Sequence, residues 1–165
     1  MTDFPPVSGW TPPSAPERRD LLRRTRTIAM VGASSNPAKA SNFVLTYLLS
    51  SSADYTVYPI SPRGGEILGQ KVYGSLAELP EVPDMVDVFR RPADLPGVAE
   101  EAVAVGAESL WIQLGLWSVE AAEIALEGGL DLVMNRCLKI EHARFHGGLH
   151  LAGFDTGVIS SRRAG

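Results

Sequence analysis

Cysteine is scarce in this sequence: Cys137 is the single one among 165 residues, which excludes an internal disulfide and a four-cysteine zinc site. No apolar run reaches the roughly 18 residues that a membrane-spanning helix needs. The N-terminus lacks a charged patch followed by an apolar stretch, so we predict no secretory signal. We therefore expect a cytoplasmic protein that does not bind a membrane.

Positive charge is also in short supply. Lys and Arg number 15 against 19 Asp and Glu, which leaves a net charge of −4. A general nucleic-acid binder needs surplus cations to displace counterions from phosphate, so we expect no nucleic-acid partner. An anionic ligand then has to be bound by cations gathered locally at one site.

The rest of the composition is that of an ordinary globular protein, with 45% apolar and 21% charged residues. A chain of this length is expected to form one domain. Residues 1–16 hold five prolines and are predicted to form an arm. Residues 17–145 are predicted to form the domain, and residues 146–165 a C-terminal tail packed on it or trailing from it.

Residues 17–26 contain five arginines and are predicted to form a short helix that Pro16 opens. We interpret the arginines as one solvated helix face. The alternative interpretation is an anion-binding patch.

Five short apolar runs alternate with helical patterns along the domain, which is typical of β-α-β units. Right-handed crossovers build such a series into a parallel sheet with helices on both faces. We predict an α/β, doubly wound, five-stranded, Rossmann-like fold with strand order 3-2-1-4-5 and a ligand crevice at the carboxyl ends of strands 1 and 4. The predicted strands are residues 27–31, 55–60, 85–89, 109–114 and 130–134.

The loop after the first strand has the features of a phosphate site. Gly32 permits close backbone approach, and Asn36 before Pro37 is predicted to cap a helix over 37–51, whose N-terminal amides attract anions. Lys39 in the first turn is unfavourable there unless an anion lies nearby. A larger residue at Gly32 is expected to block the ligand and leave the fold intact. An ordinary tight turn with a solvent-facing lysine is the alternative.

Three later loops place further candidates at the same edge of the sheet. The second loop, Ser61-Pro62-Arg63, has no acidic residue to hold a ribose, which counts against NAD. The third, Phe89-Arg90-Arg91, offers an aromatic ring and two cations for a base or phosphates. The fourth contains Gln113 and Gly115. Surface arginines at a turn and at a helix entry are the alternative interpretation.

Other chemistry-bearing residues fit no standard site. Cys137, beside Arg136, is either a reactive thiol or a small buried residue. His142, His146 and His150 are spaced as metal ligands on a helix, but Gly147 and Gly148 interrupt it, so we predict no metal site. The nucleophile elbow and the Walker loop are both absent from the sequence.

Several stretches, in order over about residues 27–145, form a recognisable combination. They are VGAS (31–34), EILGQKVY (66–73) with SL (75–76), VDVFRRP (86–92), GA (106–107) with WIQLG (111–115), and MNRCLKIE (134–141). Taken together, they resemble the stand-alone CoA-binding domain family, and the domain is similar to the CoA-binding part of the succinyl-CoA synthetase α subunit. The resemblance implies a Rossmann-like fold that holds coenzyme A along the crevice.

The resemblance also implies roles for individual residues, and Asn36 is added from its predicted capping position. Ser61 stands where the family often has Asn, so its shorter side chain makes one amide contact fewer. The implied contacts with the phosphates of coenzyme A are Gly32, Ala33, Ser34 and Lys39, and the nucleotide half of the ligand lies along Ser61, Pro62 and Arg63. The resemblance also implies contacts with adenosine or pantetheine from Phe89, Arg90 and Arg91. The thiol end of the ligand is bordered by Gln113 and Gly115.

We therefore expect a protein that binds coenzyme A or an acyl-CoA without catalysis of its own. An NAD(P)-dependent oxidoreductase is one alternative, although the glycine pattern of the first loop departs from the dinucleotide fingerprint. A ligand-sensing module is another, motivated by the proline-rich arm and the arginine-rich helix. It would work with a protein partner or as a homo-oligomer.

Overall fold

The computed structural model describes residues 4–50 and 54–146, which form a central parallel sheet between two layers of helices. The sheet strands are β1 (Thr27–Val31), β2 (Thr56–Ile60), β5 (Met85–Val88), β6 (Ser109–Ile112) and β7 (Asp131–Met134); β3 (Glu66–Ile67) and β4 (Gln70–Lys71) form a separate hairpin. The helices are α1 (Ala15–Arg24), α2 (Ala40–Ser50), α3 (Leu95–Val105), α4 (Val119–Glu127) and α5 (Leu138–His146). The predicted doubly wound α/β class is confirmed.

The predicted strand order is wrong in one respect. The sheet runs β2-β1-β5-β6-β7. Strand β5, the third strand of this sheet along the chain, therefore pairs with β1 rather than with β2. The order is thus 2-1-3-4-5, and the connections change direction between β1 and β5. The ligand crevice of this topology lies at the carboxyl ends of β1 and β5 rather than of strands 1 and 4.

Pro59 in β2 is the sequence signal for this order. Proline cannot donate a hydrogen bond to a neighbouring strand, so it favours the edge of a sheet. The predicted order placed this strand between two others. In the structure β2 pairs with β1 on one side, and among the described residues its other side carries an isolated bridge between Ile60 and Tyr73.

Each face of the sheet buries its own apolar cluster. Helices α3 and α4 pack on one face over residues such as Val86, Leu110 and Leu132. Helices α1, α2 and α5 pack on the other face over Met30, Trp111 and their neighbours. Since all positions of β1, β5 and β6 are buried, these strands appear in the sequence as continuous apolar runs.

The arginine run around helix α1 is solvated as predicted at Arg23, Arg24 and Arg26, but Arg18 is an exception. The capping box of α1, formed by Ser14 and Glu17, starts the helix two residues earlier than expected. Arg18 is buried, and its Nε donates to Glu141 Oε1 at 2.7 Å, which ties α1 to α5. The charge run therefore contributes a buried ion pair to the fold.

The proline-rich segment before α1 packs on the domain in the residues described. Val7 is buried in the cluster under α3 and α4. The Phe4 ring stacks on Trp117 with centroids 5.1 Å apart, and Trp117 Nε1 donates to the Pro5 carbonyl at 2.8 Å. The division into arm, domain and tail stays a prediction.

Asp87 is the one acidic residue inside the sheet strands that is fully buried among those described. It lies in β5 between Met30 and Trp111 of the neighbouring strands, and neither carboxyl oxygen has a hydrogen-bond partner. Burial raises the pKa of this carboxyl well above its usual value. The native state therefore holds a proton that the unfolded chain releases above about pH 3.9.

We predict that Asp87→Asn removes a pH dependence of stability. Because the native state binds the extra proton, the wild-type free energy of unfolding falls as pH rises above about 4, by at most about 1.4 kcal/mol per pH unit until the folded pKa is passed. Asn has no proton to lose, so the variant gains on the wild type as the pH rises above about 4. Urea unfolding at several pH values measures this difference. The matched control is exposed Asp20→Asn, and a profile for Asp87→Asn parallel to wild type would contradict the prediction.

Candidate functional site

A cleft of about 790 Å³ opens at the carboxyl ends of the strands, between the N-terminus of α2 and the loops after β1, β5, β6 and β7. It lies on the sheet face that α1, α2 and α5 cover. The lining residues are Gly32, Ala33, Ser34, Lys39, Ala40, Ser41, Phe43, Val44, Pro62, Phe89, Arg90, Arg91, Pro92, Gln113, Leu114, Leu116 and Cys137. Nine of the thirteen predicted site residues thus lie together along one cleft.

Gly32 is required by the fold itself. Its φ is +90°, and a Cβ built on it would lie 2.5 Å from the Phe89 carbonyl oxygen. The loops after β1 and β5 therefore touch through their backbones. The expectation that a larger residue at Gly32 leaves the fold intact is wrong for this reason.

The first two amides of this loop do not face the cleft as donors. Gly32 N and Ala33 N both donate to the Ile60 carbonyl, at 3.2 and 3.1 Å. These two N–H groups therefore cannot also donate to a phosphate, as the family resemblance implied. Within the described residues, the amides of Ser34, Ala40 and Ser41 have no partner, and these three residues line the cleft.

The helix that follows begins at Ala40, three residues later than predicted. Asn36 Oδ1 accepts from Ala38 N at 2.9 Å, so Asn36 stabilises the turn before the helix rather than capping the helix. Asn42 Nδ2 donates to the Ser34 carbonyl at 2.9 Å and fixes the loop against α2. Neither Asn36 nor Asn42 lines the cleft; the sequence analysis missed the positioning role of Asn42.

Positive charge gathers at this end of the cleft. Arg90 Nη2 and Arg91 Nε both donate to Asp94 Oδ2, each at 3.1 Å, and exposed Lys39 lies on the opposite loop. The Arg91 guanidinium holds the pKa of the Asp94 carboxyl below its usual value. The two arginines and Asp94 together carry one net positive charge, to which Lys39 adds a second. Arg90 also lines a smaller cleft of about 260 Å³ with Pro62 and Glu101.

The other end of the cleft is mainly apolar. Phe43 and Leu114 are 58% and 60% exposed, which is high for large apolar side chains. The Lys139 ammonium lies 3.6 Å from the centre of the Phe43 ring. Cys137 is half-buried at this end, just before α5.

Gln113 joins the sheet to this end of the cleft. It is 4% exposed, and its Oε1 accepts from Leu138 N at 3.0 Å, so it caps the first turn of α5. Its Nε2 has no hydrogen-bond partner among the described residues. The Gln113 side chain is thus held in place through Oε1, and its Nε2 remains able to donate to a ligand.

Four predicted site residues are outside the cleft lining. Asn36 is one of them. Ser61 Oγ accepts from Arg63 N at 3.3 Å, so these two residues form their own turn beside Pro62. Gly115 has a φ of +87°, and its N donates to Asn135 Oδ1 at 2.7 Å. Gly115 therefore shapes the loop between β6 and α4.

The structure adds several residues to the predicted site. Phe43 and Val44 of α2 line the cleft, although the sequence analysis named neither of them as a site residue. Ser41 is 3% exposed, and its hydroxyl has no partner in the part of the chain described. Proximity to the loop was the available signal, because side chains in the first turn of a helix lie beside the loop that precedes it.

The structure shows no metal site in the residues described. No three His, Cys, Asp or Glu side chains in that part of the chain come close enough to hold an ion. His142 is buried, and its Nδ1 lies 2.8 Å from the Tyr47 hydroxyl. His150 lies outside the described residues. None of the helices described has the length and apolar character of a membrane span.

The sheet order and the cleft at its carboxyl end define a Rossmann-like α/β protein, and comparison with known proteins gives the family. The model of the family described as "CoA binding domain" matches residues 26–143, so the chain belongs to the CoA-binding domain family. The family resemblance inferred from the sequence is thereby confirmed.

Two relatives match this chain along nearly their whole length. The uncharacterized protein YneT of Bacillus subtilis is 39% identical over 131 residues, which cover 79% of this chain and 96% of the relative. The solved structure of a hypothetical protein from Pyrococcus horikoshii is 37% identical, with a TM-score of 0.77, and the match covers 89% of this chain and 100% of the other.

A larger enzyme contains a related segment. The ADP-forming acetate–CoA ligase I subunit alpha of Pyrococcus furiosus is 31% identical over 86 residues. The match covers 50% of this chain but 19% of the ligase subunit. Half of this chain is therefore similar to one segment of that subunit.

We predict that Gly32→Ala destabilises the fold more than an otherwise comparable glycine substitution. The new Cβ would clash with the Phe89 carbonyl, which costs about 1–3 kcal/mol in a packed site. Gly69→Ala is the matched control, because Gly69 also has a positive φ, +79°, but no atom within 4 Å of an added Cβ. Chemical denaturation without ligand measures both variants, and equal losses would show that the close contact has no energetic importance.

Proposed function

We propose that this protein binds coenzyme A or an acyl-CoA in the cleft and carries out no reaction of its own. The observation that supports the proposal best is the lining of the cleft, which combines cations and free amides with exposed apolar side chains. Coenzyme A has the same combination, since a phosphorylated nucleotide is joined to a long, mostly uncharged pantetheine arm that ends in a thiol. Membership of the CoA-binding domain family supports the same ligand.

The proposed phosphate end combines three kinds of donor. The amides of Ala40 and Ser41 lie at the positive end of α2, which attracts anions. Lys39 and Arg91 are exposed and can reach a phosphate from either side of the cleft. Charge-assisted hydrogen bonds from such groups are about twice as strong as neutral ones. They offset the ligand's charge locally, although the chain as a whole carries −4.

The proposed thiol end has the character that a pantetheine arm needs. Phe43, Leu114 and Leu116 offer apolar surface, and binding would remove it from water. The Gln113 Nε2 can donate to an amide carbonyl of the arm. Ser61, Arg63 and Gly115 lie beside the lining, and in this proposal they shape the loops while Pro62 contacts the ligand.

Binding without catalysis is proposed because of what lines the cleft. The described lining residues include no Asp, Glu or His that could serve as a general base. The related ligase subunit is about five times longer than the matched segment, so its activity is not transferred to this chain.

Titration calorimetry of the reduced protein against coenzyme A, acetyl-CoA and NADH tests the proposal. We expect saturable binding of one or both CoA compounds with one site per chain, and no binding of NADH. A thermal midpoint that rises with CoA concentration provides a second measurement, because a ligand that binds only the native state stabilises it. Absence of CoA binding by the folded protein would overturn the proposal.

Arg91→Ala is predicted to weaken CoA binding. The Arg91 side chain is 80% exposed, so removing one charged contact should cost about 1 kcal/mol, or about fivefold in Kd. Arg26→Ala is the matched control, because Arg26 is an exposed arginine at the amino end of β1, opposite the cleft. The difference between the variants should shrink at high salt, which screens exposed charges. Equal Kd values at low salt would place the phosphates elsewhere.

A further inference from the structure

The segment before α1 forms a strap against a loop that borders the cleft. We use the name strap for residues 4–10. The Phe4 ring is nearly parallel to Trp117 with centroids 5.1 Å apart, and the Trp10 ring is tilted against the same indole at 5.9 Å. Trp117 Nε1 donates to the Pro5 carbonyl at 2.8 Å. Two rings and one carbonyl of the strap therefore meet on a single side chain 112 residues further along the chain.

Trp117 belongs to the short loop between β6 and α4, and the same loop forms part of the cleft wall. Leu114 and Leu116 of this loop line the cleft. Trp117 points away from the lining and packs on the apolar cluster under α3 and α4. Because adjacent Cα atoms are only about 3.8 Å apart, the position of Trp117 fixes that of Leu116. Gly115, at φ +87°, gives the loop a flexible point before these two residues.

The strap is itself anchored to both helical layers. Val7 is 5% exposed and is buried in the cluster under α3 and α4. On the chain towards α1, the Pro13 carbonyl accepts from Arg18 Nη1 at 2.8 Å, and Arg18 is ion-paired with Glu141 of α5. The strap therefore has a fixed position from which its rings can hold the loop.

We propose that the strap positions the apolar wall of the cleft for the ligand, with Trp117 as the positioning residue. The inference rests on the proposed CoA binding, in which Leu114 and Leu116 contact the pantetheine arm. A ligand that binds the ordered wall more tightly must also favour the docked strap, by the same factor, because coupling between two binding events is reciprocal. Strap docking and ligand binding thus stabilise each other.

The double variant Phe4→Ala with Trp10→Ala tests the inference in the full chain, because it removes both rings of the strap and leaves the loop sequence unchanged. We expect its Kd for CoA, measured by titration calorimetry, to rise about fivefold or more. The loss should persist at high salt, which screens charges but not apolar contacts. Leu68→Ala is the control and should leave Kd unchanged, because Leu68 is an apolar residue, 48% exposed, in the β3–β4 hairpin.

Hydrogen exchange of the wild type gives a second measurement, which does not depend on the folding of a variant. The Trp117 indole N–H is protected by the Pro5 carbonyl of the docked strap. Saturating CoA should slow exchange of this N–H, followed by NMR, about fivefold or more.

A strap with a purely structural role gives different results. The folded double variant would then have a lower thermal midpoint but an unchanged Kd for CoA, and this outcome would overturn the inference. Exchange at the Trp117 indole that saturating CoA leaves unchanged would overturn it as well. Both outcomes leave the proposed function intact, whereas failure of the wild type to bind CoA in calorimetry would overturn the proposed function.

Discussion

The close approach of Gly32 to the Phe89 carbonyl is the contact on which the cleft depends. It brings the loops after β1 and β5 together where the sheet connections change direction. The loop after β1 is also fixed by hydrogen bonds to its neighbours. The amides of Gly32 and Ala33 donate to the Ile60 carbonyl, and the Asn42 side chain of α2 donates to the Ser34 carbonyl. Because these contacts occupy the first amides of the loop, the donors that remain for a ligand are the amides of Ser34, Ala40 and Ser41.

Charge is arranged locally in a chain that is acidic overall. Asp94 holds two arginines at one end of the cleft, whereas Glu141 holds Arg18 in the interior between α1 and α5. Arginine–carboxylate pairs therefore have different roles at the two places. Those at the strand ends remain available to an anion, and those under the helices stabilise the packing of the layers.

Much of the architecture could be predicted from local patterns. Buried parallel strands appear as apolar runs, and Ser118, a residue type that favours helix N-caps, accepts from Ala121 N at the start of α4. The strand order was predicted wrongly, because pairing depends on contacts between distant segments. The edge position of β2 was nevertheless indicated by Pro59. The burial of Arg18 had no comparable signal, since its partner Glu141 is 123 residues away.

The sequence by itself determined the α/β class, the family and most of the loops that form the cleft. Each of these depends on residues close together in the chain. Only the tertiary structure decided that β5 lies beside β1, that Phe43 and Ser41 face the cleft, and that Cys137 and Gln113 share its apolar end. These relations join residues on separate strands and helices, so they exist only once the layers have packed.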